Sequence, residues 1–258
     1  PDRIPARLNT ALFSAHYLPL WIGGEIRGRV RTDLVDRVAG FAEIATIESG
    51  LRLRDDGLDR HGRSAALQSV AVQLRKLGLI GDWRNELCAV LDTRGEELAR
   101  CERGLFRTLG LQNRAVHING IGADGRLWVS RRSAIKRADP GKLDTLAAGG
   151  VLAGESFRRC AIRELWEEAG VPRELAREID FPGVIIRSLR EATFGIHDQQ
   201  VIVADLILDT SFEPVGRDGE VEEFLCLEAD AVRAALDGDE FTVEAALATR
   251  ECLERRGL

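Results

Sequence analysis

The sequence predicts a mixed α/β protein in two regions, a small α+β unit over residues 1–112 and a second unit over 113–258. Two observations carry this. The pattern changes at Ala115, after which VHINGIGADGRLWVSRR forms two strand-like runs around Asp124-Gly125, a hairpin signal. Further on, a helix with one acidic and one apolar face stops at Gly170-Val171-Pro172 and has strand-like runs on either side.

In the first region Tyr17 to Ile22 reads as a short strand, Gly23-Gly24 as a turn and Glu25 to Val30 as the returning strand. Thr32 to Phe41 has helical spacing, with Leu34, Val35, Val38 and Phe41 apolar, and residues 43–54 suggest one or two short strands. Ser64 to Leu79 is a clearer amphipathic helix that puts Leu67, Val70, Ala71, Leu74 and Leu77 on one side. Glu86 to Leu91 looks like a strand, and Glu102 to Leu109 like a helix ending near Gly110. In the second region, SAIKRADPGKLDTLAAGG after the hairpin reads as a polar loop turning at Pro140-Gly141. Val184 to Ala192, Gln199 to Leu208 and Glu222 to Leu227 read as strands, and Ala229 to Leu236 and Val243 to Arg255 as closing helices.

A net charge of −6 argues against a broad basic face for nucleic acid. No run approaches 18 apolar residues, and the opening PDRIPARLNTALFSAHYLPLW lacks the compact apolar block and cleavage site of a signal peptide. Cys88, Cys101, Cys160, Cys226 and Cys252 are odd in number and show no C-x-x-C, which suits small buried thiols in a reducing cytoplasm.

The sharpest signal is Gly149 to Val171, GGVLAGESFRRCAIRELWEEAGV. On a helix, Glu164, Glu167 and Glu168 share one face, while Ala161, Ile162, Leu165 and Ala169 form the neighbouring apolar arc. Like charges at i, i+3 and i+4 repel, and a hard divalent cation binding several carboxylate oxygens would offset that. Gly149-Gly150 and Gly154 bracket what reads as a tight loop before the helix, and Arg163 stands ready to orient a carboxylate.

This stretch resembles the Nudix box, G-x5-E-x7-R-E-U-x-E-E-x-G-U with U aliphatic, and all nine constrained positions match. The resemblance implies an α/β/α sandwich with a mixed sheet, and Mg2+- or Mn2+-dependent cleavage of a diphosphate linked to another group. It implies Glu167 and Glu168 as metal ligands, Glu164 as ligand or general base, and the Gly149 carbonyl as a further ligand. Arg163 would orient a carboxylate, and Glu155 would support the loop, a phosphate or a second metal; Gly150 and Gly170 complete the box. Many Nudix enzymes add a carboxylate from a later loop, and Asp218-Gly219-Glu220-Val221-Glu222-Glu223 is the obvious source, with Glu220 the first candidate for ligand or base and Glu222 the next.

Residues 15 to 255 resemble more narrowly one Nudix subgroup, through GDWRNELCAVL, CERGLFRTLGL and VHINGIGADGRLWVSRRSAIKRADPGKLDTLAAGG. That subgroup includes the Nudix domain fused to fungal thiamine pyrophosphokinase and bacterial relatives with the same extra N-terminal domain. It implies hydrolysis of thiamine diphosphate, particularly its oxidised, damaged analogues, to the monophosphate. Arg132 and Lys136 keep its R-S-x-x-K pattern, where cations would take phosphate charge. His117, Asn119 and Asp144 either line the pocket or are structural; Trp166 faces away from the core arc, and His197 reads as a surface residue.

Three other readings compete. A nucleoside-diphosphate derivative such as ADP-ribose or a dinucleotide would use the same residues. Isopentenyl diphosphate isomerase, another activity of this fold, uses a cysteine before the box, and residues 115–148 contain none. A non-catalytic sensor usually has a damaged box, and here every box glutamate is present. The partner expected is a small-molecule diphosphate, with no nucleic acid and no membrane; a homodimer is the assembly to test.

Overall fold

A computed structural model describes residues 16–81, 83–136, 138–209 and 211–258. The expectation about the opening stretch therefore lies, up to residue 15, outside the described residues. The chain divides into two compact units, residues 1–113 with 152–154 and 187–199, and residues 114–151 with 155–186 and 200–258.

In the first unit β1 (Tyr17–Ile22) and β2 (Glu25–Arg31) form the expected hairpin, and the glycines of its turn take φ of 62° and 80°. A 3-10 turn (Thr32–Leu34) leads into α1 (Val35–Ala39), then β3 (Ile44–Ile47) and β4 (Gly50–Leu53) complete a sheet of order β2-β1-β4-β3. The next helix, α2 (Arg60–Lys76), starts four residues before the expected Ser64 because the Asp59 side chain accepts the Gly62 N–H and caps it. Leu67, Val70, Ala71 and Leu74 are buried as expected, but Leu77 lies past the helix end and is half exposed. β5 (Leu87–Leu91) pairs with β6 (Glu97–Glu102), so the helix expected from Glu102 is shortened to α3 (Leu105–Leu109), which Gly110 ends in the left-handed conformation.

A seven-stranded sheet has the order β11-β12-β7-β8-β13 on its main path, with β10 on β7 and β9 on β8; it belongs to the second unit except for residues 187–199 of β11 and β12, which fall in the first. Its strands are β7 (Gln112–Gly122), β8 (Leu127–Arg132), β9 (Leu143–Asp144), β10 (Ala147–Gly150), β11 (Ile185–Ala192), β12 (Gly195–Leu208) and β13 (Val221–Leu227). The helices of the second unit are α4 (Phe157–Ala169), the short α5 (Arg173–Ala176), α6 (Ala229–Asp237) and α7 (Val243–Arg256). Strand alternation gives the sheet two apolar faces. Val116, Ile118, Ile202, Ala204 and Leu206 pack with Cys160, Ala161, Leu165 and Ala169 of α4, while Leu127 and Val129 pack with Val232, Ala235, Ala245 and Leu253 of α6 and α7. Helices on both faces of a mixed sheet make the α/β/α sandwich.

Two expectations are corrected here. The stretch 133–150 is not one polar loop: Leu143-Asp144 pairs with β8, and Ala147–Gly150 pairs with β7 in the register Ala147↔Ile118 and Gly149↔Val116. Gly149-Gly150 therefore sits in a strand, and only Gly154, at φ +78°, turns the loop before α4. His197 is buried, because β12 begins at Gly195 and carries it inside the sheet. Behind the sheet, buried Asp205 accepts from Arg255 at 2.8 Å, Arg256 at 2.9 Å and Asn119 at 3.1 Å, tying α7 to β7 and β12.

Candidate active site

The site is built on α4. Its start is fixed by Ser156, whose hydroxyl accepts the Arg159 N–H at 3.3 Å, and its end by Gly170 at φ 65°. A side chain at Gly170 would also meet the Val215 carbonyl at 2.7 Å, so a glycine is required twice over. With Cys160, Ala161, Leu165 and Ala169 turned into the core, Arg163, Glu164, Glu167 and Glu168 fall on the flank that faces β10 and the 217–220 loop.

Arg163 is the hub of one half. Its Nε and Nη2 hold both oxygens of Glu155 at 3.0 Å, Nη1 reaches Glu164 at 2.5 Å and Glu167 at 3.3 Å, and Nη2 also donates to the Gly150 carbonyl at 3.2 Å. Burial opposes the guanidinium charge, yet the Glu155 and Glu164 carboxylates around it hold its pKa above the ordinary value. Glu164 lies flat against Gly149, where any Cβ would overlap its carboxylate. Cys160 Sγ donates to the Gly149 and Gly150 carbonyls at 3.6 and 3.5 Å.

Glu168 anchors the other half. Its side chain accepts the Ala148 N–H at 2.8 Å and lies 3.8 Å from Lys136 Nζ, which is in close contact with Glu220. Among the described residues, Glu168, Asp218 and Glu220 bring carboxylate oxygens within 4.8 Å of one another. Asp218 opens the acidic stretch expected from the sequence and takes the place expected for Glu222; its carboxylate accepts the Glu220 N–H at 2.8 Å, the Asx-type turn that the Asp218-Gly219 pair encodes. Burial, and then the neighbouring Glu164, push the Glu168 carboxyl well above the usual carboxylate range. A crowded set of hard oxygen donors with negative charge left over fits Mg2+ or Mn2+, and fits a soft metal poorly.

The remaining candidates fall at graded distances from this centre. Arg132 is tied down by Asp144 at 3.0 Å and by the Ala138 carbonyl at 2.9 Å. His117 Nδ1 lies 3.7 Å from Asp144 and 3.5 Å from Thr145 Oγ1, in a buried network. Asn119 belongs to the Asp205 lock and not to this site. Glu222 is exposed, with its neighbour Glu223 held by Arg131 at 2.6 Å, so of that acidic loop it is Asp218 and Glu220 that come to Glu168. Trp166 is partly exposed beneath the Arg217 guanidinium, 3.9 Å from its ring centre, which covers it within its own unit.

The sequence matches the NUDIX domain family over residues 111–247 and a domain of unknown function, DUF4743, over residues 4–113. It is 32% identical over 216 residues to Nudix hydrolase 24, chloroplastic, of Arabidopsis thaliana, an alignment covering 81% of this chain and 59% of that protein. Nudix hydrolase 20, chloroplastic, of the same plant is 31% identical over 211 residues, covering 80% of this chain and 54% of its own length. The chain thus spans a little over half the length of these relatives. The crystal structure of DR0079 from Deinococcus radiodurans shares the fold, with a TM-score of 0.51 at 21% identity over 65% of this chain and 99% of that one. With an intact box, helices on both faces of a mixed sheet and a family match over 111–247, this chain belongs to the Nudix family, its Nudix domain preceded by a DUF4743 region.

Proposed function

We propose that the chain is a divalent-cation-dependent pyrophosphohydrolase that converts thiamine diphosphate, or its oxidised analogues, to the monophosphate. The observation that carries the hydrolase reading is the convergence of Glu168, Asp218 and Glu220 beside Lys136. Mg2+ or Mn2+ held there would supply positive charge to the phosphate oxygens and acidify water. Glu164, Glu167 and the Gly149 carbonyl are further proposed ligands; both glutamates also serve Arg163, so the guanidinium and the cation would share them.

The chain's own residues divide the rest of the work. One of the carboxylates Glu164, Glu168 and Glu220 accepts a proton from the attacking water as general base. Arg163, locked by Glu155, fixes the rotamers of Glu164 and Glu167 so that the acidic face is set before substrate arrives. Lys136 is the cation that meets phosphate charge, and Arg132 follows once a phosphate competes with Asp144. The thiamine preference rests on the pattern of residues 15 to 148 and on Arg132-Ser133-Ala134-Ile135-Lys136.

The same reading takes residues 1–112 as an accessory domain and 113–258 as the catalytic one. It places the protein in the cytoplasm on its cysteine usage, without nucleic-acid or membrane partners, and leaves a homodimer to be tested by sedimentation. Among the described residues no helix is long and apolar enough to cross a membrane.

The experiment is release of phosphate and monophosphate from thiamine diphosphate, its oxo and oxy forms, ADP-ribose, NADH and a dinucleoside polyphosphate, with Mg2+ and then with chelator. Preference for the thiamine compounds, lost in Glu168→Gln, supports the proposal. Turnover of ADP-ribose or dinucleotides instead would keep the chemistry and reject the substrate. Tight binding without turnover of any of them would identify a sensor.

A further inference from the structure

A cavity of about 490 Å3 opens within the first unit, between the start of α2 and the β5–β6 hairpin, lined among others by Arg60, His61, Ser64, Gln68, Leu87 and Arg100. Two of these are already committed to structure. β6 is the outer strand of a two-stranded sheet, and its free N–H groups at Arg100 and Glu102 are taken by Ser64 Oγ at 2.8 Å and Gln68 Oε1 at 3.2 Å. That pairing fixes the Gln68 amide so that its NH2 end remains for a ligand.

Glu97 grips Arg100 with both oxygens, at 2.6 and 3.1 Å, and the same carboxylate is the ion-pair partner of Arg60 at 3.4 Å. Among the described residues, two guanidiniums share the Glu97 carboxylate, and Asp59 stands beside His61 at the start of α2, so the cations line the cavity while their carboxylates stand behind them. The grip also fixes the rotamer of Arg100 through Nε and Nη2, and among the described residues its Nη1 has no hydrogen-bond partner. Opposite the cations, Leu87 is 47% exposed, an apolar side chain left in water beside a basic wall.

We propose that this cavity is a binding site for a small molecule carrying a phosphate group on an apolar or ring-bearing body. The oxyanion takes the fork of Arg100, with Arg60, His61 and the Gln68 amide around it, and the body covers Leu87. A purely apolar ligand would make no use of the guanidinium edges, and a bare anion would leave Leu87 in water. The site also touches the Nudix box: the Leu87 carbonyl accepts the Ala153 N–H at 2.8 Å, and a Cβ at Gly154 would stand 3.5 Å from Arg100 Nη2. Binding there does not depend on the activity proposed above.

The test is calorimetry and arginine side-chain NMR on the full chain in chelator, with inorganic phosphate and phenyl phosphate as probes. Phenyl phosphate should bind several-fold more tightly than phosphate, shift the Arg60 and Arg100 side-chain signals, and lose about tenfold in affinity in both the Arg60→Gln/Arg100→Gln double variant and Leu87→Glu. Leu87→Glu changes an exposed residue and so controls for misfolding of the double variant. No binding of either probe, equal affinity for the two, or unchanged affinity in both variants would overturn the proposal. Turnover by the same variants then identifies the occupant. A raised KM at constant kcat marks the substrate's own phosphate, and unchanged turnover with lost phenyl phosphate binding marks a separate ligand.

Discussion

Gly149→Ala tests the geometry of the site with the loss of a single hydrogen for a methyl. The added Cβ would fall on the Glu164 carboxylate, far inside the 3.4–4 Å of ordinary contact. Gly149 has little freedom to withdraw, because β10 is paired to β7 across Gly149↔Val116. Glu164 must therefore leave, giving up its 2.5 Å bond to Arg163. A hydrogen bond between charged partners contributes about 1.5–3 kcal/mol, and residual overpacking costs about 1–3 kcal/mol. Glu164 recovers part of this by reaching water, so the low half of the sum, about 2.5–4 kcal/mol, is expected. With a urea slope of about 2 kcal/mol/M, the unfolding midpoint falls by about 1–2 M. Turnover falls by about 100-fold, as a displacement of order 1 Å at a reacting centre does. Urea titration followed by steady-state kinetics reads both. A variant that keeps its midpoint to within about 0.3 M and its kcat would refute the argument that Gly149 exists to let Glu164 in.

Glu168→Gln should stabilise the metal-free chain at neutral pH while turnover falls by about 10²–10⁴-fold. The folded pKa of Glu168 lies above its unfolded value near 4.3. Its favourable contribution is therefore complete below about pH 4 and lost as pH rises, so the gain in Tm over wild type should appear at pH 7 and vanish toward pH 4. Lys136→Met removes an ammonium that competes with a cation for the Glu168 and Glu220 oxygens, so Mn2+ measured by calorimetry should bind about tenfold more tightly while KM for the diphosphate rises. Asp205→Asn leaves Arg255 and Arg256 without their buried carboxylate and should cost about 3 kcal/mol in urea unfolding, with kcat unchanged once folded.

What was legible in the sequence follows from where the forces were local. The helix α4 declares itself because Ser156, the 3.6-residue apolar stripe and Gly170 all act within one segment. β6 and β10 do not declare themselves. ELARCE is made of good helix formers and becomes a strand because β5 and the Ser64 and Gln68 side chains of α2 claim its backbone. AAGG has no strand propensity at all, and becomes one because β7 offers a partner and Glu164 needs a surface without side chains. His197 was misplaced for a related reason: β12 extends to Gly195, beyond the Val- and Ile-rich run that signals it.

The site was legible by the same rule. Within α4 the acidic residues are fixed by helical spacing, but how they divide is set by one partner on the helix, Arg163, and by others outside it. Arg163 and Glu155 draw Glu164 and Glu167 to one side, while Lys136, Asp218 and Glu220 draw Glu168 to the other. Three glutamates on one helix face therefore do not act as one cluster. One pair is held by an internal guanidinium that also serves Glu155. The third, whose carboxyl burial pushes above its ordinary range, faces the oxygens of a second loop. Burial of the Glu168 charge beside Glu164 costs stability, so its removal is expected to raise Tm and lower kcat together.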